Sequence, residues 1–232
     1  IMVLVFLLFS QEAIAEIIKF PESELASESV LPVFDRSEMV KNRNILTTRR
    51  FEVSIAPTFI LTEPFISALS YGGGIAYHLS SIHSIHLLVN AYSDEWTSYG
   101  EELESNPRTS VNLRFAPHPK WLTLLSYQLS FWYGKLSITK NWVLNSIVLA
   151  HAGGGLISYT GDNYFAGSFG LSQEFFLTRN LALRFDFRFL LHNGPNILST
   201  DTSAATAPVS AKAYEQHLIF NNLLSIGLMF LL

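Results

Sequence analysis

The 232-residue sequence has no cysteine, which excludes a disulfide framework and any thiolate metal site. Charge is also scarce, at 15% of residues, against roughly 25% in an ordinary soluble domain. What charge there is leans acidic, with 15 Lys and Arg against 19 Asp and Glu. No basic cluster interrupts that balance, so no nucleic-acid partner is expected. Long apolar runs are missing as well. The longest, Ile1 to Phe9, falls well short of the ~18 residues that a spanning helix needs. The seven histidines (His78, His83, His86, His118, His151, His192 and His217) include no pair at zincin spacing. His83 and His86 would fall on opposite faces of a strand. Neither Gly72-Gly73-Gly74 nor Gly153-Gly154-Gly155 is followed by the Lys-Ser/Thr of a phosphate loop. No metal and no cofactor are therefore expected.

What remains is hydrophobicity without helical spans: 49% hydrophobic residues, including 18 Phe. It is distributed with a period of two. In LALRFDFRFLL (181–191), Leu181, Leu183, Phe185, Phe187 and Phe189 alternate with Ala182, Arg184, Asp186 and Arg188. FEVSIAPTFILT (51–62) sets Phe51, Val53, Ile55, Phe59 and Leu61 against Glu52, Ser54, Ala56 and Thr58. The same rhythm runs through 68–79, 84–94, 121–132, 164–177 and 215–232, and 142–159 reads as a long strand with a Gly-rich bend whose two faces the pattern does not assign. Such alternation fits a soluble sandwich or a lipocalin-like barrel, which turn apolar residues inward, and equally a membrane barrel, which turns them outward. Two features favour the membrane sense. The apolar face is rich in Leu, Phe and Tyr, while the polar face often carries Gly, Ala and Ser, which suit a crowded lumen. The final strand also runs to the last residue of the sequence.

The expected fold is all-β: an antiparallel, up-and-down transmembrane β-barrel of eight strands. The turns at SSIH, YGKLSITKN (133–141) and TRN face the periplasm, and the long segments 95–120 and 192–214 face outward. TSVNLRFA (109–116) also alternates, but a ninth span would separate the termini, so it is assigned to an external loop. Glu95, Glu101, Glu102 and Glu104 give that loop an acidic, solvated character. Ahead of the barrel (49–232), residues 1–15 read as the apolar core and small-x-small site (Ala13-Ile14-Ala15) of a secretory signal peptide that lacks its basic start. Residues 16–48 read as a periplasmic segment.

Residue by residue, several stretches carry a resemblance: LPVFDR (31–36), RRFEVSIAPTF (49–59), TEPF (62–65), YGGGIAYHLS (71–80), YGKLS (133–137), FAGSFGLSQEFFLTRNLALRFDFR (165–188) and NNLLSIGLMFLL (221–232). In that order the chain resembles the small outer-membrane β-barrel proteins of myxobacteria and related predatory and gliding bacteria. It departs from their pattern at Asn145, where an acidic residue is expected, and at Leu232, where the last residue is expected to be aromatic. The resemblance implies the outer membrane, a barrel, and a place in trans-envelope machinery of the motility type.

The expected lumen holds Glu52, Glu174, Arg184, Asp186 and Arg188, with Arg114 as a further candidate. Charges in a narrow interior must pair, so these residues are expected to form a structural network that plugs the barrel. No catalytic residue is assigned. His151 with Ser146 or Ser158 is the one pairing that invites a lipid-modifying reading. The function expected is a non-enzymatic envelope anchor or scaffold. Its partners would be outer-membrane lipid and lipopolysaccharide, together with periplasmic or envelope proteins. The alternatives are a small pore or transporter and a lipid-modifying enzyme.

Overall fold

The computed structural model describes residues 44–62, 69–93, 97–98, 100, 102, 115–139, 142–199, 207 and 209–232. The signal-peptide reading, residues 16–43, Glu95, Glu101, Glu104 and Arg114 lie outside them. Eight strands follow one another: β1 (Phe51–Ile60), β2 (Leu69–His78), β3 (His83–Tyr92), β4 (Pro119–Thr139), β5 (Trp142–Tyr159), β6 (Asp162–Phe176), β7 (Leu181–Pro195) and β8 (Gln216–Leu231). Each pairs antiparallel with the next, and β8 returns to β1, closing an up-and-down barrel.

Alternation dictates both the strands and their facing. In β1, Phe51, Val53, Ile55 and Phe59 are exposed, whereas Glu52 and Thr58 are buried. In β8, Ile226, Leu228 and Phe230 are exposed and Met229 and Leu231 buried. The polarity is that of a transmembrane barrel: the outer wall is Leu, Ile, Phe and Tyr, and the interior holds Glu, Asp, Arg, His and Ser. Aromatic rings knit that wall across strands. Phe189 stacks on Phe169 and Phe220 with centroids 5.0 and 5.4 Å apart.

The structure corrects the expectation at YGKLSITKN. Residues 133–139 are not a turn or excursion; β4 continues through Thr139 and pairs with β5 along its length. The register shifts between Ser130 and Trp132. A bulge adds one residue and resets the inside–outside phase, and that reset hides the strand from a period-two reading. A two-residue turn joins β5 to β6. It is Thr160–Gly161, with Gly161 at φ 90°, a conformation that favours glycine.

Both ends are covered. At the end where β1 begins and β8 stops, Arg50 donates to the carbonyls of Leu232 (3.0 Å) and Leu231 (2.9 Å), clasping the seam. Ile45 and Thr47, ahead of β1, are buried. The Asn44 N–H donates to the Tyr133 hydroxyl (3.1 Å), which donates in turn to Asn145 Oδ1 (2.9 Å). An amide therefore performs as acceptor where an acid was expected. At the other end, Val209 N–H donates to Phe115 O at 3.1 Å, and Ala211 and Tyr214 are buried. Asp162 holds this cover. It accepts from Ser210 Oγ at 2.6 Å and the Lys212 N–H at 3.3 Å, and pairs with Lys212 Nζ at 2.7 Å. The Asp162 carboxylate raises the pKa of the Lys212 ammonium above the ordinary lysine value through that hydrogen bond and charge.

Two outcomes follow from this arrangement. Asp162→Ala removes all three restraints, so trypsin should cut after Lys212 faster than in the parent, with cleavage elsewhere unchanged. Phe187→Arg places a charge on the outer wall halfway along β7, and should lower barrel stability by about 2–4 kcal/mol, read as a fall in the urea midpoint.

Candidate functional site: a buried ion-pair cluster in the lumen

Five inward positions on three strands converge. β1 contributes Glu52, β6 contributes Glu174, and β7 contributes Arg184, Asp186 and Arg188 at every second residue. All five are buried. Arg184 is the hub. Its Nη1 donates to Glu52 Oε1 at 2.5 Å and lies 3.4 Å from Glu174 Oε1, while Nη2 donates to Asp186 Oδ2 at 3.4 Å. Arg188 Nη2 donates to the same Asp186 oxygen at 3.4 Å, and its Nη1 to Ser126 and Ser168, each at 3.2 Å. Ser172 Oγ donates to Asp186 Oδ2 at 2.8 Å. The structure thus brings all five sequence-nominated residues into one cluster.

The site also recruits side chains that sequence reasoning left out. His78 Nε2 is hydrogen-bonded to Glu52 Oε2 at 3.0 Å. His151 Nε2 lies 3.4 Å from Asp186 Oδ1, an ion-pair distance without hydrogen-bond geometry. Ser126, Ser168 and Ser172 supply the remaining polar partners. The signal that would have found them is strand parity alone, since each occupies the inward phase of its strand.

The cluster contains three carboxylates and two guanidiniums. Glu52 has Arg184 and His78, and Asp186 has both arginines, Ser172 and His151. Glu174 has only the longer contact to Arg184, and its Oε1 has no hydrogen bond. Glu174 is the carboxylate whose charge is least matched. Toward the outer end, an apolar layer of Leu122, Leu124, Ile157, Leu190 and Leu223 seals the cluster.

Chemically, this is a buried, charge-paired packing of the interior. The cavity beside Arg184 and Asp186 holds about 30 Å³, room for about one water. The His151–serine pairings do not form. His151 points into the lumen, while Ser158 pairs with exposed Trp121 on the outer face and Ser146 has the opposite parity to His151. Among the described residues, no group of three or more His, Asp or Glu is placed to hold a metal ion. No described helix is long and apolar enough to cross a membrane.

No family model matches the sequence, and no curated protein matches it. Among solved structures, the crystal structure of the N-terminal β-barrel domain of Pseudomonas aeruginosa OprF is similar, with a TM-score of 0.41 and 11% identity over 80% of this chain and 98% of that one. The eight-stranded assignment rests on this chain's own closed ladder.

The cluster separates two substitutions. Arg184→Leu strands Glu52 and should destabilise the barrel by about 3–5 kcal/mol. Glu174→Gln keeps the size and removes the unmatched charge, so it should change stability by less than about 1 kcal/mol. Urea unfolding of the two variants beside the parent checks the contrast.

Proposed function

We propose that the chain is a non-enzymatic outer-membrane barrel that acts as an envelope anchor or scaffold. The observation that carries this reading is a lumen occupied by a buried ion-pair cluster, combined with an apolar outer wall. Eight strands leave an interior that side chains fill. Here the filling is an ion-pair cluster beside an apolar layer. An apolar wall without spanning helices is suited to hydrocarbon, where only helices and closed barrels satisfy the backbone. A barrel whose interior is taken up by its own side chains is suited to hold position in the envelope. The resemblance to small barrels of gliding and predatory bacteria makes a trans-envelope complex of the motility type the place where such an anchor works, with envelope proteins held at the periplasmic end.

The pore alternative is the one to test. Purified protein in a planar bilayer should give no steady ion conductance; robust single-channel steps would overturn the anchor reading. Orientation is checked separately. A tag inserted near Ala205 should bind antibody on intact cells, and a tag near Ser27 should not.

A further inference from the structure

The β1–β8 seam is where the barrel closes, and its ladder is incomplete. Pairing runs from Glu52↔Leu231 to Ile55↔Leu228, then resumes at Thr58↔Ser225 in the same register. Two rungs are missing, opposite Ile226 and Gly227. The cause is in the sequence. Leu232 N–H donates to Phe51 O, and Leu61 N–H donates to Asn222 O. Odd residues of β1 therefore face β8 in the hydrogen-bonding direction. Pro57 belongs to that row and has no N–H to give. Gly227 allows the close approach at the break, because a Cβ there would run into the Ile55 carbonyl and Ala56.

Each side of this break has a hollow. On the outer wall lies a groove of about 420 Å³ whose lining includes Pro57, Tyr71, Leu183, Ile226 and Leu228. That volume is within the roughly 300–1,000 Å³ of small-molecule sites. On the lumen side lies the small cavity bounded by Thr58, Ser225, His86, Arg184 and Asp186. Ile55, Ala56, Gly72, Gly227 and Leu228 border both hollows, so the wall between them is one backbone thick. His86 lines the inner cavity, is 2% exposed, and has no hydrogen-bond partner on either ring nitrogen. A small polar cavity therefore lies directly behind the groove. At this spot both the ladder pairing and the side-chain filling are interrupted, in contrast to the continuous β5–β6 and β6–β7 ladders.

We propose that the seam groove is a binding site for a single acyl chain of a membrane lipid. Its lining is carbon, it lies partway along the strands and away from both polar rims, and the missing rungs leave the wall thin where a packed chain would reinforce it. This rests on the membrane-barrel reading above. A chain seated here shields the break from the bilayer side, and holds the polar cavity and His86 away from hydrocarbon. The seam would thus be a lipid-dependent joint in a ring that is otherwise self-sufficient.

The test is photolabelling in vesicles of phosphatidylethanolamine and phosphatidylglycerol, doped with a trace of phospholipid carrying a diazirine on one acyl chain. Labelled peptides are mapped by mass spectrometry, and heat-modifiable gel mobility is followed in parallel. Labelling of the β1 segment Ile55–Phe59 should exceed that of the Phe169/Phe189 wall at least fivefold. Ile226→Trp, which fills the groove from its lipid-facing side, should cut the β1 labelling at least fivefold. Leu125→Trp, on a distant part of the outer wall, should leave it unchanged. Even labelling around the barrel, or labelling indifferent to Ile226→Trp, overturns the site while leaving the barrel standing. Absence of label from every strand, with loss of heat-modifiable mobility, overturns the membrane reading and the site with it.

Discussion

Ring closure is the constraint on which the rest depends. At lipid depth a backbone N–H or C=O without a partner costs several kcal/mol, and a sheet in that setting has no tolerable edge. β8 therefore has to find β1, across a separation of more than 160 residues in sequence. The means of closure are visible at both ends of the seam. Arg50 spends its guanidinium on the last two carbonyls of β8, and Thr58 and Ser225 share a 2.7 Å hydroxyl bond on the lumen side just beyond Pro57. One proline row is the exception, and side chains are recruited immediately beside it.

Closing only eight strands then decides the interior. The lumen is too narrow for a water column, so its side chains must satisfy one another. A charge there is tolerated only inside a complete network. Arg184 meets that demand because its ladder partner on β8 is Gly227 and the next strand presents Ala56. Two small residues clear the floor, and the long arm crosses to Glu52 on β1. The cluster thereby ties β7 to β1 over the top of β8. It reinforces, through side chains, the same seam that the backbone ladder leaves incomplete. Whether such a cluster adds net stability relative to an apolar filling is a separate matter, since buried pairs often only break even. What it does supply is register: a slip of one residue in β7 would turn Arg184, Asp186 and Arg188 into the lipid.

That same rule explains how much was legible in the sequence. Period-two alternation placed Glu52, Glu174, Arg184, Asp186 and Arg188 on one face without coordinates, because strand parity is local. The identity of the partners was not local. Glu52 and Arg184 are separated by a whole strand, and their meeting depends on the stagger of β1, β7 and β8. Within the network, both glutamates reach Arg184, and Arg188 leans on Asp186 and two serines. His78 and His151 were not assigned to the network because a histidine in an inward phase carries no charge pattern to flag it. The far half of β4 escaped for another reason. The bulge near Phe131 flips the phase, so Tyr133 is buried and Lys135 and Leu136 exposed in an order that reads as irregular.

The outer wall and the lumen are thus two solutions to one sequence problem, and they interfere at a single place. Each strand must offer bulky apolar groups outward and compatible polar groups inward at alternate residues. Where an inward arginine needs space, its neighbours must be small, and Ala56, Gly72 and Gly227 are the residues that give it. Small inward residues leave the backbone itself as the wall. Elsewhere, intact ladder rungs make that wall sufficient, as along β5 and β6, whose pairing is continuous from Asn145↔Phe176 to Tyr159↔Asp162. Only at Pro57 do a small-residue wall and a missing donor coincide. The packing that lets Arg184 reach Glu52 is also what leaves the seam thin, so the plug in the lumen and the groove in the outer face have a common origin in the same few side chains.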